Sequence, residues 1–517
     1  MDYFTHPLVR EEKIEKRTYQ EEIIGKAAGD NLLVVLPTGL GKTPIALLAC
    51  AERMLRHPGK KALFLAPTKP LVEQHKRYFE RTLKETEGLV ALTGKTPPEQ
   101  RKQAWKSGSI FFCTPEIVEN DVLTRNMLLD DFSIIIFDES HRAMGDYAYV
   151  FIAKQYMKTA EPRILGLTAS PGGDKQTIQE VCRNLFIKKA EIRTEKDKSV
   201  KPYLKPVQII WESVELTPDM LKIKELLEKA TEKYLEELKQ MRYLRSGSVK
   251  RVSKKDLLKL QGQLMGMIQK GDVQAYTGVS KLAASIKAHH ALELLETQGI
   301  YPLQNYLERL KEQKSKAVAS LFANEDFTSA RLKAKWLFEH GVEHPKMERL
   351  RFLVRQQIEE DPASLMIVFT QYRDTVNKII EEMRKAGIKA ERLVGQSSRI
   401  EKGMSQKEQS EVLRKFADLE FNLLVASSVG EEGLDLPSVA IVFFFEPIPS
   451  ELRSIQRRGR TARHTAGKVV ILTAKNTRDE AYRWASAHRE TKMRATLKDM
   501  QEDKGQKSLG EYAADKN

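Results

Sequence analysis

Short, continuous apolar runs recur along most of this chain, each bounded by polar, glycine or proline residues. They occupy residues 32–36, 62–66, 110–113, 134–137, 164–167, 366–369, 423–426, 441–445 and 469–472. Runs this rich in Val, Ile, Leu and Phe are typical of parallel strands that are covered on both faces. Because segments of helical length separate them, the sequence predicts two α/β domains, each with a doubly wound parallel sheet.

The middle of the chain has a different pattern. Between residues 204 and 340, long charged stretches carry apolar side chains at helical spacing, as at Met220, Ile223 and Leu227. This spacing is typical of helices with one buried face, so it predicts an all-helical insert. The predicted organisation is domain 1 (residues 1–200), the insert (204–340), domain 2 (345–495) and a polar tail or linker (500–517).

Composition limits the classes of protein to which the chain can belong. With 517 residues it is too long for one ordinary core, and at about 150 residues per domain it holds roughly three. No apolar run approaches the ~20 residues of a membrane helix, and residues 1–10 lack the apolar stretch of a secretory signal. The three cysteines have no paired spacing, which predicts a reducing, intracellular environment and no cysteine-based metal site.

The charge balance favours a polyanionic partner. The formal net charge is +15, and a phosphate backbone releases counterions when lysine and arginine approach it. Many basic proteins bind no nucleic acid, so charge alone leaves this interpretation open.

A glycine-containing loop follows the first apolar run and opens a segment of helical composition. Glycines let backbone N–H groups surround a β-phosphate, Lys42 can reach the β- and γ-phosphates of ATP, and Thr43 can bind Mg²⁺. The general pattern has glycine where this chain has Leu36, and a plain glycine turn with a solvated lysine is the alternative. The strand, loop and helix context favours a phosphate-binding loop. Its predicted residues are Pro37, Thr38, Gly39, Leu40, Gly41, Lys42 and Thr43.

Two acids end the apolar run at residues 134–137. A carboxylate at the end of a buried strand beside a phosphate loop can hold the Mg²⁺ shell, and the next acid can orient the attacking water. We assign these roles to Asp138 and Glu139. A solvated strand end would explain the pair without any ligand, but the phosphate loop makes the catalytic interpretation the stronger one.

An arginine-rich run lies at residues 456–463 in domain 2. Arg460 and Arg463 can direct two guanidinium groups at the γ-phosphate across a cleft, as arginine fingers do, with Gln456 beside them. A solvated or backbone-binding face is the alternative. Domain 2 has no phosphate loop of its own, which favours a site shared between the two domains.

Together these elements resemble the superfamily 2 helicases, whose motor consists of two RecA-like domains. The resemblance extends to segments 66–71, 114–116, 168–170, 367–371 and 425–435. It implies that Gln20 contacts adenine and that Gly433 and Asp435 belong to the nucleotide site. It implies coupling roles for His141, Thr168 and Ser170. The implied nucleic-acid contacts are Pro67, Thr68, Lys69, Thr114, Pro115, Glu116, Thr370 and Gln371.

Two positions depart from the family pattern. Ser140 stands where alanine or cysteine is usual, and because serine is also small we expect activity to survive. Ala462 replaces the usual glycine, and its methyl group could restrain the backbone that aims Arg463.

Within the superfamily, residues 445–461 and 37–43 resemble the archaeal Hef family, which is related to the Fanconi-anaemia M translocase. The family implies a helical insert between the motor domains and movement in the 3′ to 5′ direction. It also implies a nuclease domain after the helicase, whose Glu-Arg-Lys-x-x-x-Asp signature is absent here. We therefore expect either a fragment or a parent protein that lacks the nuclease.

Three hypotheses remain at the level of sequence. The first is a DNA motor for forked or branched DNA, the second is an RNA helicase or a double-stranded-RNA-binding ATPase, and the third is a scaffold without ATPase activity. Intact Lys42, Asp138 and Glu139 argue against the scaffold.

The most basic stretch of the insert, residues 242–259, is the predicted reader of fork structure. Its cations face a single acid, Asp256, although a solvated helical face would also explain them. The predicted contacts to DNA are Arg242, Arg245, Arg251, Lys254 and Lys255.

Overall fold

Two parallel sheets and a bundle of helices make up the part of the chain that the computed structural model describes. This part comprises residues 2–37, 39–169, 175–194, 197–203, 208–248, 252–395, 403–427, 436–447 and 467–482. No helix within these ranges is long and apolar enough to cross a membrane.

The first sheet lies in domain 1 and has seven parallel strands in the order β3-β4-β2-β5-β6-β1-β7. The strands are β1 (Leu32–Val35), β2 (Lys61–Leu65), β3 (Leu89–Leu92), β4 (Ile110–Cys113), β5 (Phe132–Asp138), β6 (Ile164–Thr168) and β7 (Lys189–Ile192). The helices are α1 (Thr18–Gly29), α2 (Lys42–Arg56), α3 (Lys69–Thr82), α4 (Pro98–Ser107), α5 (Pro115–Leu123), α6 (Ala148–Tyr156) and α7 (Lys175–Asn184).

Side chains of β1 alternate between two hydrophobic cores. Leu33 and Val35 belong to one core, and Leu32 and Val34 belong to the other. The sheet is therefore covered on both faces, as the continuous apolar runs predict. Since all strands are parallel, the loops that follow β1, β5 and β6 lie at one edge, where ligands of such folds bind.

The insert consists of helices from Pro218 onward. They are α8 (Pro218–Gln240), α9 (Lys254–Gln269), α10 (Gln274–Thr297), α11 (Ile300–Lys311), α12 (Lys316–Phe322) and α13 (Glu325–Glu339). Within the described residues, domain 2 contains α14 (Pro345–Glu360), α15 (Arg373–Lys385) and α16 (Gln406–Ala417).

The second sheet has six parallel strands in the order β10-β11-β9-β12-β13-β8. They are β8 (Gln208–Val214), β9 (Met366–Phe369), β10 (Ala390–Leu393), β11 (Leu423–Ala426), β12 (Ile441–Phe444) and β13 (Lys468–Ala474). The prediction of two α/β domains with a helical insert is confirmed. One detail needs correction, because β8 lies in the range predicted to be all-helical, yet it pairs with β13 as an outer strand of the domain 2 sheet.

Candidate active site

The glycine-containing loop joins β1 to α2 at the carboxyl edge of the first sheet. Gly39 and Gly41 have φ angles of 90° and 81°, a left-handed conformation that residues with a Cβ rarely adopt. α2 begins at Lys42, whose Nζ donates to the carbonyl oxygen of Leu36 at 3.0 Å. The loop therefore turns sharply at the amino end of a helix, which is the geometry of an anion site.

Two neighbouring side chains of α1 support this loop. The Tyr19 hydroxyl donates to the Leu40 carbonyl oxygen at 2.6 Å, and Gln20 Nε2 donates to the same oxygen at 3.3 Å. Gln20, the predicted adenine contact, thus lies against the loop. No pattern in the sequence points to Tyr19, because a buried tyrosine is usually a core residue.

The departure at Leu36 has a structural explanation. Leu36 is fully buried, and its N–H donates to the Thr168 carbonyl oxygen at 3.1 Å. The residue therefore continues the pairing between β1 and β6 at the position where the general pattern has glycine.

Asp138 ends the fully buried strand β5 and contacts a histidine that the sequence did not single out. His75 Nε2 lies 2.9 Å from Asp138 Oδ2, and His75 Nδ1 lies 3.5 Å from Thr43 Oγ1. Burial alone would raise the pKa of Asp138, but His75, through its charge and hydrogen bond, and Lys42 hold that pKa below its usual value. The carboxyl group is therefore kept ionised.

The oxygens of Thr43 and Asp138 suit a magnesium ion. Both approach the same imidazole, so a hydroxyl and an ionised carboxylate are close together beside the phosphate loop. Mg²⁺ in nucleotide sites is held by such hard oxygens together with phosphate groups and water. The residues present therefore fit the predicted cofactor.

Glu139 has an unusual backbone, and its carboxylate lies beside His141. Its φ angle is 49°, in the left-handed region, and a short 3₁₀ turn (Ser140–Arg142) follows it. Within the described part of the chain, the buried Oε2 accepts no hydrogen bond, although it lies at ion-pair distance, 3.3 Å, from His141 Nδ1. His141 Nδ1 in turn lies 3.1 Å from Thr168 Oγ1. The predicted water-positioning acid thus adjoins the predicted coupling residues at the ends of β5 and β6.

Ser140, the departure from the family pattern, lies in a close-packed place. Ser140 is fully buried, and among the described residues its Oγ has no hydrogen-bond partner. A Cβ added to Gly166 would lie 3.3 Å from the Ser140 Cβ, so Ser140 packs closely against the backbone of β6. That activity survives with serine here stays a prediction.

The predicted nucleic-acid contacts of domain 1 lie at the same sheet edge. β2 pairs with both β4 and β5, so the ends of these three strands are adjacent. Thr68 occupies the N-cap position of α3 and Thr114 that of α5, and neither side chain accepts a capping hydrogen bond from the described residues of its helix. Pro67, Lys69, Pro115 and Glu116 flank these caps. Two helix amino ends therefore lie side by side, and their free N–H groups are suited to backbone phosphates.

In domain 2, Thr370 and Gln371 directly follow β9. Their partners are Glu446, which follows β12, and Gln298 at the end of α10. Thr370 is 0% exposed, so the prediction that it contacts a strand needs correction, whereas Gln371 is partly exposed. Glu446 belongs to the segment 445–461 that resembles the Hef family, but no role was predicted for it or for Gln298.

The basic stretch of the insert contains exposed cations and one cation that forms an ion pair. Arg242, Arg245 and Lys255 are exposed. Lys254 differs, because its Nζ donates to Glu293 Oε2 at 3.0 Å. Its side chain is still 49% exposed, so the predicted contact of Lys254 with DNA stays a prediction.

Several predicted residues lie outside the described part of the chain. They are Thr38, Ser170, Arg251, Gly433, Asp435, Gln456, Arg460 and Arg463.

Comparison with known proteins defines the class of this fold and site. Residues 17–178 match the DEAD/DEAH box helicase model, and residues 345–465 match the helicase conserved C-terminal domain. Residues 220–335 match a helical bundle described for ATP-dependent RNA helicases. The chain belongs to the superfamily 2 helicases.

A solved structure shows the family within this superfamily. The Hef helicase domain of Pyrococcus furiosus is 44% identical, covers 93% of this chain and 100% of its own, and has a TM-score of 0.73. The chain therefore belongs to the family of the Hef helicase domain.

Curated relatives from two organisms are longer than this chain. A Methanocaldococcus jannaschii protein named as an RNA helicase is 40% identical over 96% of this chain. The DNA helicase mph1 of Sclerotinia sclerotiorum is 33% identical over 90% of it. The chain spans 63% and 40% of their respective lengths.

Proposed function

We propose that this chain is an ATP-driven DNA helicase or translocase that acts on forked or branched DNA. The observation that carries the proposal is the carboxyl edge of the domain 1 sheet. Asp138 at the end of β5 adjoins the end of β2, where α3 begins with the predicted nucleic-acid contacts. ATP chemistry and strand binding would thus share neighbouring strand ends.

The residues of domain 1 can divide the work of hydrolysis. Lys42 and the loop amides hold the phosphates, Thr43 and Asp138 hold Mg²⁺, and Glu139 orients the attacking water. When bound, Mg²⁺ neutralises charge on the phosphate oxygens. On the evidence of sequence alone, Arg460 and Arg463 of domain 2 complete the site.

Helix α3 offers a physical link between the two activities. Its amino end carries Thr68 and Lys69, while His75, further along the same helix, contacts Asp138 and approaches Thr43. A shift of α3 on binding nucleic acid would move His75 relative to the Mg²⁺ ligands. This arrangement supports an ATPase that nucleic acid stimulates.

The insert is the proposed source of preference for forks. The motor motifs contact strand backbone, which carries no information on branching, so structure selection requires another element. The exposed side chains of Arg242, Arg245 and Lys255 support this role.

DNA is favoured because mph1 of Sclerotinia sclerotiorum, which matches 90% of this chain, is named as a DNA helicase. RNA is the second candidate, favoured by the name of the Methanocaldococcus jannaschii relative and by the helical-bundle model. The test compares ATPase stimulation by forked DNA, single-stranded DNA and duplex RNA at equal nucleotide concentration. Stronger stimulation by duplex RNA than by either DNA would replace the proposal with the RNA candidate.

A further inference from the structure

The carboxyl end of α10 brings a buried amide into domain 2. Gln298 follows the last residue of α10 and is 3% exposed. Its Oε1 accepts from the Thr375 hydroxyl at 2.7 Å and lies 3.3 Å from Thr370 Oγ1. Gly299, with a φ angle of 104°, turns the chain into α11 and keeps Gln298 at this corner.

Glu446 approaches the same strand end from the other side. Its carboxyl group accepts from the Gln371 backbone N–H at 2.5 Å and lies 3.1 Å from Thr370 Oγ1. Glu446 is 2% exposed. Thr370 and Gln371 are thus held between a side chain of the insert and a side chain of domain 2.

Buried polar groups of this kind are poorly explained by stability alone. Well-packed apolar side chains would often stabilise such a junction as much or more. What hydrogen bonds add is direction, since each fixes the position of a particular donor. Here the fixed donors are the buried Thr370 hydroxyl and the backbone amide of Gln371.

Helix α10 also reaches the basic stretch of the insert. Glu293, one turn before the corner, accepts from Lys254 Nζ at 3.0 Å and from the Tyr482 hydroxyl of domain 2 at 3.1 Å. Helix α10 therefore contacts the proposed fork-reading stretch through Glu293, and the residue after its carboxyl end, Gln298, contacts Thr370.

We propose that Gln298 is a positioning residue through which the insert, by way of the buried Thr370, sets the geometry of the nucleic-acid contact at Gln371. The inference rests on the proposed function, in which Gln371, which is partly exposed, contacts the strand. Gln298 is itself buried, and it acts by holding the hydroxyl groups of Thr370 and Thr375.

The test measures nucleic-acid-stimulated ATP hydrolysis as a function of single-stranded DNA concentration. Gln298→Leu removes the acceptor, and Gln298→Met removes it while keeping a side chain of similar length. Both should raise the half-saturating DNA concentration about tenfold, the effect of losing one buried hydrogen bond. Turnover at saturating DNA should stay within a factor of about two.

Gln304→Leu is the matched control. Gln304 is 5% exposed, and its amide donates to Glu308 within α11. The unfolding temperature of each variant is compared with that of this control, so that a general loss of structure is recognised.

Four outcomes decide between the explanations. A higher half-saturating concentration in both Gln298 variants, but not in the control, supports the inference. If Gln298→Met has the half-saturating DNA concentration of the wild type, Gln298 acts only through packing and the inference is wrong. The inference is also wrong if Gln298→Leu and Gln304→Leu have the same half-saturating DNA concentration. A wild-type protein that no DNA or RNA stimulates refutes the proposed function itself.

Discussion

Two carboxyl groups at the ends of buried strands, Asp138 in domain 1 and Glu446 in domain 2, have opposite pKa shifts. His75 and Lys42 hold the pKa of Asp138 below its usual value in spite of burial. Burial raises the pKa of Glu446 from 4.5 to about 7, because its hydrogen-bond donors are neutral and the attraction of Lys346 is not enough to compensate.

The difference separates a carboxylate that can hold a ligand from a carboxyl group that supports its neighbours within the protein. An ionised carboxylate beside a phosphate loop can bind a metal ion through its negative charge. The Glu446 carboxyl group, whose pKa is raised to about 7, instead accepts hydrogen bonds from Thr370 and Gln371 within the protein. In the sequence both are acids that follow an apolar run, so the distinction depends on neighbours from distant parts of the chain.

The largest expected effect is on ATP hydrolysis. Asp138→Asn should abolish the dependence of ATP binding on Mg²⁺, and Glu139→Gln should leave binding intact while slowing hydrolysis by roughly 10²–10³-fold. Nucleotide binding with and without Mg²⁺, and single-turnover hydrolysis, are the measurements. Glu161→Gln, at a side chain that is 72% exposed, is the control. Hydrolysis at the wild-type rate in Glu139→Gln would remove that residue from the mechanism.

The next effect concerns stability at the junction between the insert and domain 2. Lys346 and Asp479 form an ion pair of 2.8 Å in which both side chains are 0% exposed, and Lys346 Nζ also donates to the Thr297 carbonyl oxygen. Lys346→Met leaves a buried carboxyl group without its cation and should cost about 3–5 kcal/mol of unfolding free energy. Denaturant titration measures this loss.

The double variant Lys346→Met with Asp479→Leu tests the reason for the loss. Removing both charges should recover most of the stability, because the cost comes from an unpaired buried charge rather than from lost attraction. If the double variant is as unstable as the single one, the ion pair itself stabilises the junction.

The sequence predicts central strands well and outer strands poorly. Nine apolar runs correspond to β1, β2, β4, β5, β6, β9, β11, β12 and β13. The four strands without such a run are β3, β7, β8 and β10, and each is the outermost strand of its sheet. An outer strand is less completely covered, as the half-exposed residues of β8 illustrate, so its sequence need not be continuously apolar.

The residues of the candidate site likewise fall into those that the sequence predicts and those that it does not. Lys42, Thr43, Asp138 and Glu139 are recognisable because their chemistry requires fixed residue types at fixed spacing. His75 contacts an acid 63 residues away in the chain, and Gln298 contacts a threonine 72 residues away. Supporting residues of this kind follow no local pattern, so only the fold identifies them.

A pH titration of stability sharpens the comparison between the two carboxyl groups. Since the folded-state pKa of Glu446 is raised, its stabilising contribution is complete below about pH 4.5 and is lost as the pH rises to about 7. The contribution of Asp138, whose pKa is lowered, is instead lost only in acid, below its usual value of 3.8. Between pH 4.5 and 7, Glu446 should therefore contribute more than Asp138 to the change in the free energy of unfolding.

Glu446→Gln isolates this effect. The amide keeps an acceptor for Gln371 and a donor for Thr370, and it does not titrate. The stability of the wild type relative to this variant should fall by up to about 3 kcal/mol between pH 4.5 and 7. Lys346 and Asp479, the charged groups that face Glu446, remain in both proteins. Parallel stability curves would show that Glu446 stays in one protonation state across this range.

The smallest expected effect concerns the exposed cations of the insert. Arg242 and Lys255 are exposed, and among the described residues no ion pair engages either of them. Reversing both to Glu should weaken binding of forked DNA more than binding of single-stranded DNA, because only the fork reaches the insert in the proposed function. The salt dependence of fork affinity should become shallower by about two phosphate contacts, a change of roughly 1.8 in the logarithmic slope.

Charge reversal at Lys314 and Lys316 is the matched control, since both are exposed in the same insert and the net charge changes equally. Lys254→Ala should behave differently from the double reversal. Its charge pairs with Glu293, which also accepts from Tyr482, so its loss should alter the junction with domain 2 and affect both DNA substrates. Equal losses on both substrates for Arg242 and Lys255 would instead make the stretch a general backbone contact, and fork binding unchanged from the control would make it a solvated surface.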